Sequence, residues 1–557
     1  MSPARSSTKR FITAFLFLIA FQFSSALAAE VNSRIGFNAG SADLTPAALD
    51  ALKRIVATQV WSEGGNLTLT TSPDADEKPE SGLSTQRNTN VIEALRMAGI
   101  TPARIVLVSA PASDASGSIN LEISTADASP AAPAVAAPAP GTAAPVAPFT
   151  TTSDKLNSGD TAWMMTSMAL VLLMTIPGLA LFYAGMVRKK NALATMMQSL
   201  VITALVTLLW WLCAYSLAFT PGSSMIGGMS RALFEGMLFK KSSGELSVSH
   251  LATTIPESVY AMYQLTFAII TPALICGAFA ERIKFSALIC FMCLWSLLVY
   301  APIAHWVWEP GGWLAAMGAL DFAGGTVVHV NAGAAALACA IVIGPRVGYG
   351  QRSMAPHNLT LTLTGAALLW VGWFGFNAGS AVAADGRAGM AMLTTQLATA
   401  SAALAWSIVE WGFRGKTSAL GIASGAVAGL VAITPASGFV DSGASVIIGA
   451  AGGVACYLAS TLGKRLTGLD DSLDAFGVHC TGGVVGALLT GVFASQTIGG
   501  VTGDLATQAI AVGATLVYSF VVSFIILKLL QFTIGLRVSA DQEEEGLDIS
   551  LHGEQIQ

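Results

Sequence analysis

Charge is scarce in this chain. Asp, Glu, Lys and Arg make up only 11% of its 557 residues, under half the share of an ordinary soluble domain. A soluble protein of this length is thereby excluded. The net charge of −5 argues against a nucleic-acid partner. Cysteine is sparse too. All seven (Cys213, Cys276, Cys290, Cys293, Cys339, Cys456 and Cys480) lie beyond residue 200, so no disulfide framework holds the first part of the chain. Cys290 and Cys293 form a CxxC inside an apolar run with no second Cys or His pair, which reads as packing rather than a metal or redox site. No constellation suits covalent catalysis or nucleotide binding, and the glycine-rich stretches read as close helix packing. We expect no enzyme activity, cofactor or metal.

What is abundant is apolar. Eleven runs stand out, at about 162–183, 196–219, 257–279, 286–304, 323–343, 359–379, 391–411, 419–435, 443–461, 475–494 and 507–530. Most approach the ~20 residues a helix needs to cross a bilayer. The fold class read from them is an all-α polytopic membrane protein with eleven transmembrane helices. Arg188, Lys189, Lys190, Arg282, Lys284, Arg346, Arg352, Arg414, Lys416, Lys464, Arg465, Lys528 and Arg537 follow the odd-numbered runs. Arg387 is the only cation in the short loops after the even-numbered ones. The positive-inside rule then puts the amino terminus outside and the carboxyl terminus inside. The start agrees: Arg5, Lys9 and Arg10, an apolar run from Phe11 to Phe23, and Ala26-Leu27-Ala28 read as an export signal with its cleavage site.

The domains expected are a signal peptide over 1–29, an exported α/β domain over 30–110, and a linker over 111–158. A membrane domain over 159–535 and a cytoplasmic tail over 536–557 complete the chain. The heart of the linker, residues 128–148, is nearly pure Ala and Pro, a semi-rigid extended spacer.

A repeat lies within the membrane part. Run five opens with Asp321 and reaches Val328-His329, and run ten opens with Asp471 and reaches Val478-His479. Run one ends in Phe182-Tyr183-Ala184-Gly185, and run six in Phe376-Asn377-Ala378-Gly379. Partners five runs apart face opposite ways across the bilayer, the 5+5 inverted repeat of transporters, with the working site near the midplane. Eight helical residues cover ~12 Å, so His329 and His479 both fall near the centre of the core. Ionisable groups there are costly and usually face a pathway.

The segments FYAGMVRKKN, AERIKFSAL, PIAHWVW, DFAGGTVVHVNAG, GWFGFNAGSA, SGAVAGLVAITPASGF and FGVHCTGG resemble, in this order, the Amt/Mep/Rh ammonium transporters, on the Amt side. The likeness runs from about 160 to 554. It implies that His329 and His479 are twin pore histidines, that Trp308 and Ser380 form an outer ammonium site, and that Phe267 and Phe376 form a phenyl gate. It further implies that Asp321 is a structural aspartate near the outer site, and Asp471 its inner counterpart. Trp308 offers a ring face to a desolvating cation and Ser380 a hydrogen-bond acceptor. The segment Trp308-Glu309-Pro310-Gly311-Gly312-Trp313 is one residue longer than the usual Trp-Gly-Gly-Gly stretch. NH4+ would be recruited outside and deprotonated near the gate. NH3 would then pass the imidazoles, with or without separate proton transfer. The resemblance also implies a homotrimer in a bacterial inner membrane, and a PII-type signal protein at the cytoplasmic face.

In the exported part, residues 34–37, 67–71 and 104–108 read as strands, and 45–58 and 84–98 as helices. LSTQRNTNVIEALRMAGITPARI resembles the OmpA-like peptidoglycan-binding fold, with Arg87 at its ligand arginine. Its partner aspartate would fall near Ser72, where this chain has Thr70-Thr71-Ser72, so a spacer or protein-contact role is favoured over wall binding. Rival readings of the whole chain are an ammonium sensor with a vestigial pore, a wall anchor with a membrane base, and a CO2 channel.

Overall fold

The computed structural model describes residues 31–36, 66–72, 90–91, 105–109, 118–124 and 150–556, in two compact units. The expected signal peptide, Arg87, residues 128–148 of the expected linker and the helix over 45–58 lie outside the described residues, as does most of the helix over 84–98.

The smaller unit contains a mixed four-stranded sheet of β1 (Val31–Gly36), β2 (Asn66–Ser72), β3 (Ile105–Ser109) and β4 (Ser118–Ser124), in the order β1-β4-β2-β3. The first three match the strands expected from sequence to within a few residues. β2 and β3 pair in parallel, with Leu67 opposite Ile105, which requires a long crossover between them. β4 falls within 111–158, read from sequence as linker, so the sheet extends past the expected domain end at 110. The alternation of Ile119, Leu121 and Ile123 is nonetheless a period-2 signal. β4 runs antiparallel to both β1 and β2.

The larger unit is helical. Ten of its helices are long and apolar enough to cross a membrane. They are α1 (Ser158–Met186), α2 (Lys189–Phe219), α3 (Glu257–Phe279), α4 (Phe285–Ala316), α5 (Gly325–Ile343), α6 (Leu359–Gly379), α7 (Gly386–Arg414), α9 (Ser442–Thr467), α10 (Ala475–Phe493) and α11 (Leu505–Thr533). Between α7 and α9 lies α8, Ala419–Ile433, whose 15 residues extend only ~22 Å at 1.5 Å each. It occupies the place of the eighth expected span, so the eleven runs appear as ten long helices and one short one. Helix starts follow side-chain chemistry: Asn157, Asn358, Asp385, Ser418, Asp441 and Asp504 each accept a backbone N–H from the first turn, satisfying donors that would otherwise be orphaned.

Where α1 and α6 meet, glycine permits contact at backbone distance: a Cβ on Gly365 would lie 2.2 Å from the Phe182 nitrogen. The outside of the bundle is apolar. Leu208, Leu404, Ile408, Trp411, Phe413 and Phe532 are all more than 60% exposed, a surface suited to lipid rather than water.

Ion pairs gather at one end of the bundle. Arg346 pairs with Asp470 at 2.8 Å and with Glu281 at 3.5 Å, and Glu281 also holds Arg188 at 2.6 Å. Two short tail helices, α12 (Ala540–Glu545) and α13 (Leu547–His552), dock at the same end. Asp548 of α13 accepts the Leu193 and Ala194 N–H groups at 3.1 and 2.8 Å. Glu543 of α12 pairs with Arg537 at 2.7 Å.

Candidate functional site

The repeat read in the sequence has a matching local geometry. Asp321 accepts four backbone N–H groups, those of Gly324, Gly325, Thr326 and Val327, at 2.6–3.0 Å. Asp471 accepts three, from Ala475, Phe476 and Gly477, at 2.9–3.2 Å. Three residues after each aspartate the backbone turns left-handed, at Gly324 (φ 105°) and at Asp474 (φ 60°). Glycine takes that conformation at no steric cost, and aspartate is among the few other residues that tolerate it. Each helix then opens with a π-turn, Gly325–Val330 and Ala475–Cys480, a feature common at functional positions. Each histidine is the fifth residue of its helix, not the eighth. Both aspartates therefore act as caps on helix ends buried away from water.

α5 and α10 run antiparallel. Arg346, just beyond α5, bonds to Asp470, just before α10. Gln508 ties Leu320, just before α5, to Ala487 inside α10. Their first turns nonetheless cross closely, a Cβ on Gly333 falling 2.4 Å from that of Cys480 and one on Gly483 2.8 Å from the Gly325 carbonyl, and the His329 and His479 rings stack with centroids 5.4 Å apart. Both are buried, and both nitrogens of His329 and Nδ1 of His479 have no hydrogen-bond partner among the described residues.

From this pair an aromatic ladder continues. His329 lies 6.0 Å from Phe376, Phe376 lies 4.3 Å from Phe267 at a 30° tilt, and Phe267 meets Trp308 edge-on at 5.6 Å. Trp308 is held by its indole N–H, which donates to the Asp321 carbonyl at 2.9 Å. The same aspartate thus caps α5 with its side chain and fixes Trp308 with its main chain. Ser380, at the C-terminal end of α6, donates to the Phe376 carbonyl at 2.9 Å. Beyond it the chain turns through Val382 at φ 56°, a strained conformation for a β-branched residue. The Ala384 N–H, donating to Asp160 at 2.9 Å, anchors that turn. Trp308 and Ser380 are partly exposed, whereas Phe267, Phe376 and both histidines are buried. One end of the ladder is open and polar, and its interior is dry. Such a row can hold a cation at its mouth and stabilise a neutral polar molecule within.

Of the membrane-site residues expected from the sequence, Trp308, Phe267, Phe376, His329 and His479 lie along this row, Ser380 bonds to Phe376 beside it, and Asp321 and Asp471 cap the helices that carry the histidines. Sequence reasoning missed Tyr263 and Trp373. The Tyr263 hydroxyl lies 3.2 Å from Ser380 Oγ and 2.9 Å from the Phe376 carbonyl, and its ring meets Phe267 at 5.1 Å. Trp373 stacks on His329 at 5.4 Å and is fixed by donating to Thr434 at 2.9 Å. The spacings were available: Tyr263 stands one helical turn before Phe267, and Trp373 three residues before Phe376. Tyrosine and tryptophan in apolar runs, however, ordinarily pack.

Residues 162–556 match the Ammonium Transporter Family. The chain is 47% identical to an ammonium transporter of Bacillus subtilis (strain 168) over 408 residues, covering 72% of this chain and 98% of that protein. It is 49% identical to an ammonium transporter of Aquifex aeolicus (strain VF5) over 407 residues, covering 72% and 93%. The crystal structure of Candida albicans Mep2 superposes with a TM-score of 0.65 at 34% identity, covering 70% of this chain and 88% of that one. The chain belongs to the ammonium transporter family and is a transporter, not an enzyme.

Proposed function

We propose that the chain carries ammonium across a bacterial inner membrane along the ladder Trp308–Phe267–Phe376–His329–His479. The continuity of that ladder, from a half-open polar mouth to a buried imidazole pair, carries the reading. Trp308, Ser380 and Tyr263 recruit NH4+, the tryptophan through its ring face and the oxygens through hydrogen bonds. Phe267 and Phe376 close the mouth. A bare ion beyond them is costly, so the proton leaves there and NH3 moves on. The neutral imidazoles of His329 and His479 each offer one donor and one acceptor to it, and the proton either stays outside or follows separately through the histidines and water. Asp321 and Asp471 hold the two π-turns and so aim the histidines.

Around this passage, α8 serves as the eleventh span, the amino terminus lies outside and the tail inside, and three copies form a homotrimer with one pore each. The docked tail and the ion pairs beneath it suit a PII-type partner. The exported unit is read as OmpA-like. Arg87 without its partner aspartate favours a spacer or protein contact over peptidoglycan binding.

The test is current in proteoliposomes after an ammonium jump, comparing wild type with Trp308→Leu and His329→Ala. A saturable wild-type current altered in both variants supports the passage; silence in both current and uptake assays refutes it.

A further inference from the structure

One carboxylate beside the candidate site has no part in the scheme above. Glu309 follows Trp308 directly and ends that stretch of helix, its N–H donating to the His305 carbonyl at 3.3 Å. Only 4% of the residue is exposed. Its Oε2 lies 2.9 Å from Nε2 of His250, in the segment leading to α3, and the His250 side chain is 23% exposed. A carboxylate at a helix C-terminus meets carbonyl dipoles that repel it, and burial adds a desolvation cost. Such a group is retained where a cation offsets it.

The surroundings show what that cation could be. Tyr260 lies within the electrostatic reach of Glu309. The Phe219 ring bridges Tyr260, at 5.7 Å, to Trp308, on which it stacks at 6.3 Å and 14°. Glu309 is thus bonded directly to Trp308 along the chain and neighbours an aromatic cluster, Tyr260 and Phe219, that packs on that tryptophan. Other charges nearby are matched. Arg231 holds Glu257 through two bonds of 2.8 and 3.1 Å, and Tyr215 donates to the same carboxylate at 3.2 Å. Asp321 is occupied by its four backbone donors. His305 directs both ring nitrogens at carbonyls, those of Ala218 and Ser223. Among the described residues the Glu309 charge has one ionisable partner within ion-pair distance, His250.

We propose that Glu309 is a cation-recruiting charge of the outer site and that His250 is its proton-dependent counter-charge. With His250 protonated the pair is neutral as a whole. With His250 neutral a net negative charge stands one residue from Trp308, draws ammonium to the mouth and offsets part of its lost hydration. The inference rests on the transport reading above and adds a determinant of affinity to it.

The experiment uses full-length protein in proteoliposomes at equal internal and external pH, about 5.5 and about 7.5, either side of neutral histidine chemistry. KM for ammonium and maximal current are read separately for wild type, Glu309→Gln and His250→Gln. Wild type is expected to bind ammonium about three- to tenfold more tightly at the higher pH, a single charge acting at short range across a partly screened site. Glu309→Gln raises KM to the low-pH value at both pH values and keeps maximal current within about twofold. His250→Gln, which still donates a hydrogen bond but carries no charge, holds the low KM at both. A Glu309→Gln protein whose KM follows pH as wild type does, or whose maximal current falls while KM stays, overturns the proposal. A wild type silent in both current and uptake assays refutes the transport reading instead. Calorimetric titration of the detergent-solubilised proteins with ammonium chloride then decides the proposal, by the same pattern in Kd.

Discussion

The imidazole rings of His329 and His479 lie within 15° of parallel with their centroids 5.4 Å apart, although they open two different helices from opposite halves of the chain. Each sits five residues into a helix whose start is pinned by an aspartate. The relationship makes the pair one unit, and a unit is tested by non-additivity. His329→Ala and His479→Ala should each lower ammonium current by about tenfold or more, with the double variant scarcely worse than either single one. Currents that multiply independently would separate the two histidines into different roles.

At the mouth, Trp308→Leu removes the ring face and should raise KM for ammonium by roughly threefold to thirtyfold, the span of a cation–π contact from exposed to desolvated. Tyr263→Phe deletes a hydroxyl 3.2 Å from Ser380 Oγ and should raise KM by a smaller factor, about two- to tenfold. Substrate titration of the current checks both. An unchanged KM in Trp308→Leu would move the recruitment site elsewhere.

Asp321→Ala leaves four buried N–H groups without their acceptor and frees the Trp308 anchor to shift. A loss of about 2–5 kcal/mol of stability is expected, from unsatisfied buried donors together with the lost cap. Asp471→Ala strands three and should cost less. Thermal unfolding in detergent should rank wild type above Asp471→Ala, and Asp471→Ala above Asp321→Ala. The reverse order would contradict the capping account.

The ion-pair end of the bundle carries a pH signature. Burial pushes the Asp470 carboxyl upward, but the hydrogen-bonded Arg346 and the nearby Arg282 outweigh it and hold the group below its usual range. A carboxylate depressed in the folded state stabilises fully above its unfolded pKa, ~3.9, and loses that contribution as pH falls through the lower folded value. Melting temperature should therefore drop below about pH 4 in wild type and drop less in Asp470→Asn. Arg346→Ala, which leaves Asp470 and Glu281 short of a buried partner, should destabilise by about 3–5 kcal/mol at neutral pH.

Deleting residues 30–150 should leave the ammonium current within about twofold of wild type, because every ladder residue lies in the helical unit. Loss of current with the protein still in the membrane would give the exported unit a direct part in transport.

The sequence by itself determined the membrane class, the positions of the helices and the pairing of the two halves. These are local properties: an apolar run of ~20 residues has few alternatives to a helix in lipid, and Asp321–His329 and Asp471–His479 repeat a spacing visible in one dimension. The caps at Asn157, Asp385 and Asp504, seen in the structure, are local as well, acting within one turn of where they stand. Tertiary structure decided what those residues do to one another. That Trp308 hangs on the Asp321 carbonyl, that Tyr263 reaches Ser380, that Trp373 backs His329, and that Glu309 meets His250 all depend on helices brought together from distant parts of the chain. An aromatic or polar side chain in an apolar run carries no mark of which neighbour it will touch. The left-handed turns at Gly324 and Asp474 stand between the two: each lies three residues from the aspartate it wraps around, as local as a cap, but the burial that leaves that aspartate as the acceptor of those N–H groups comes from the surrounding helices.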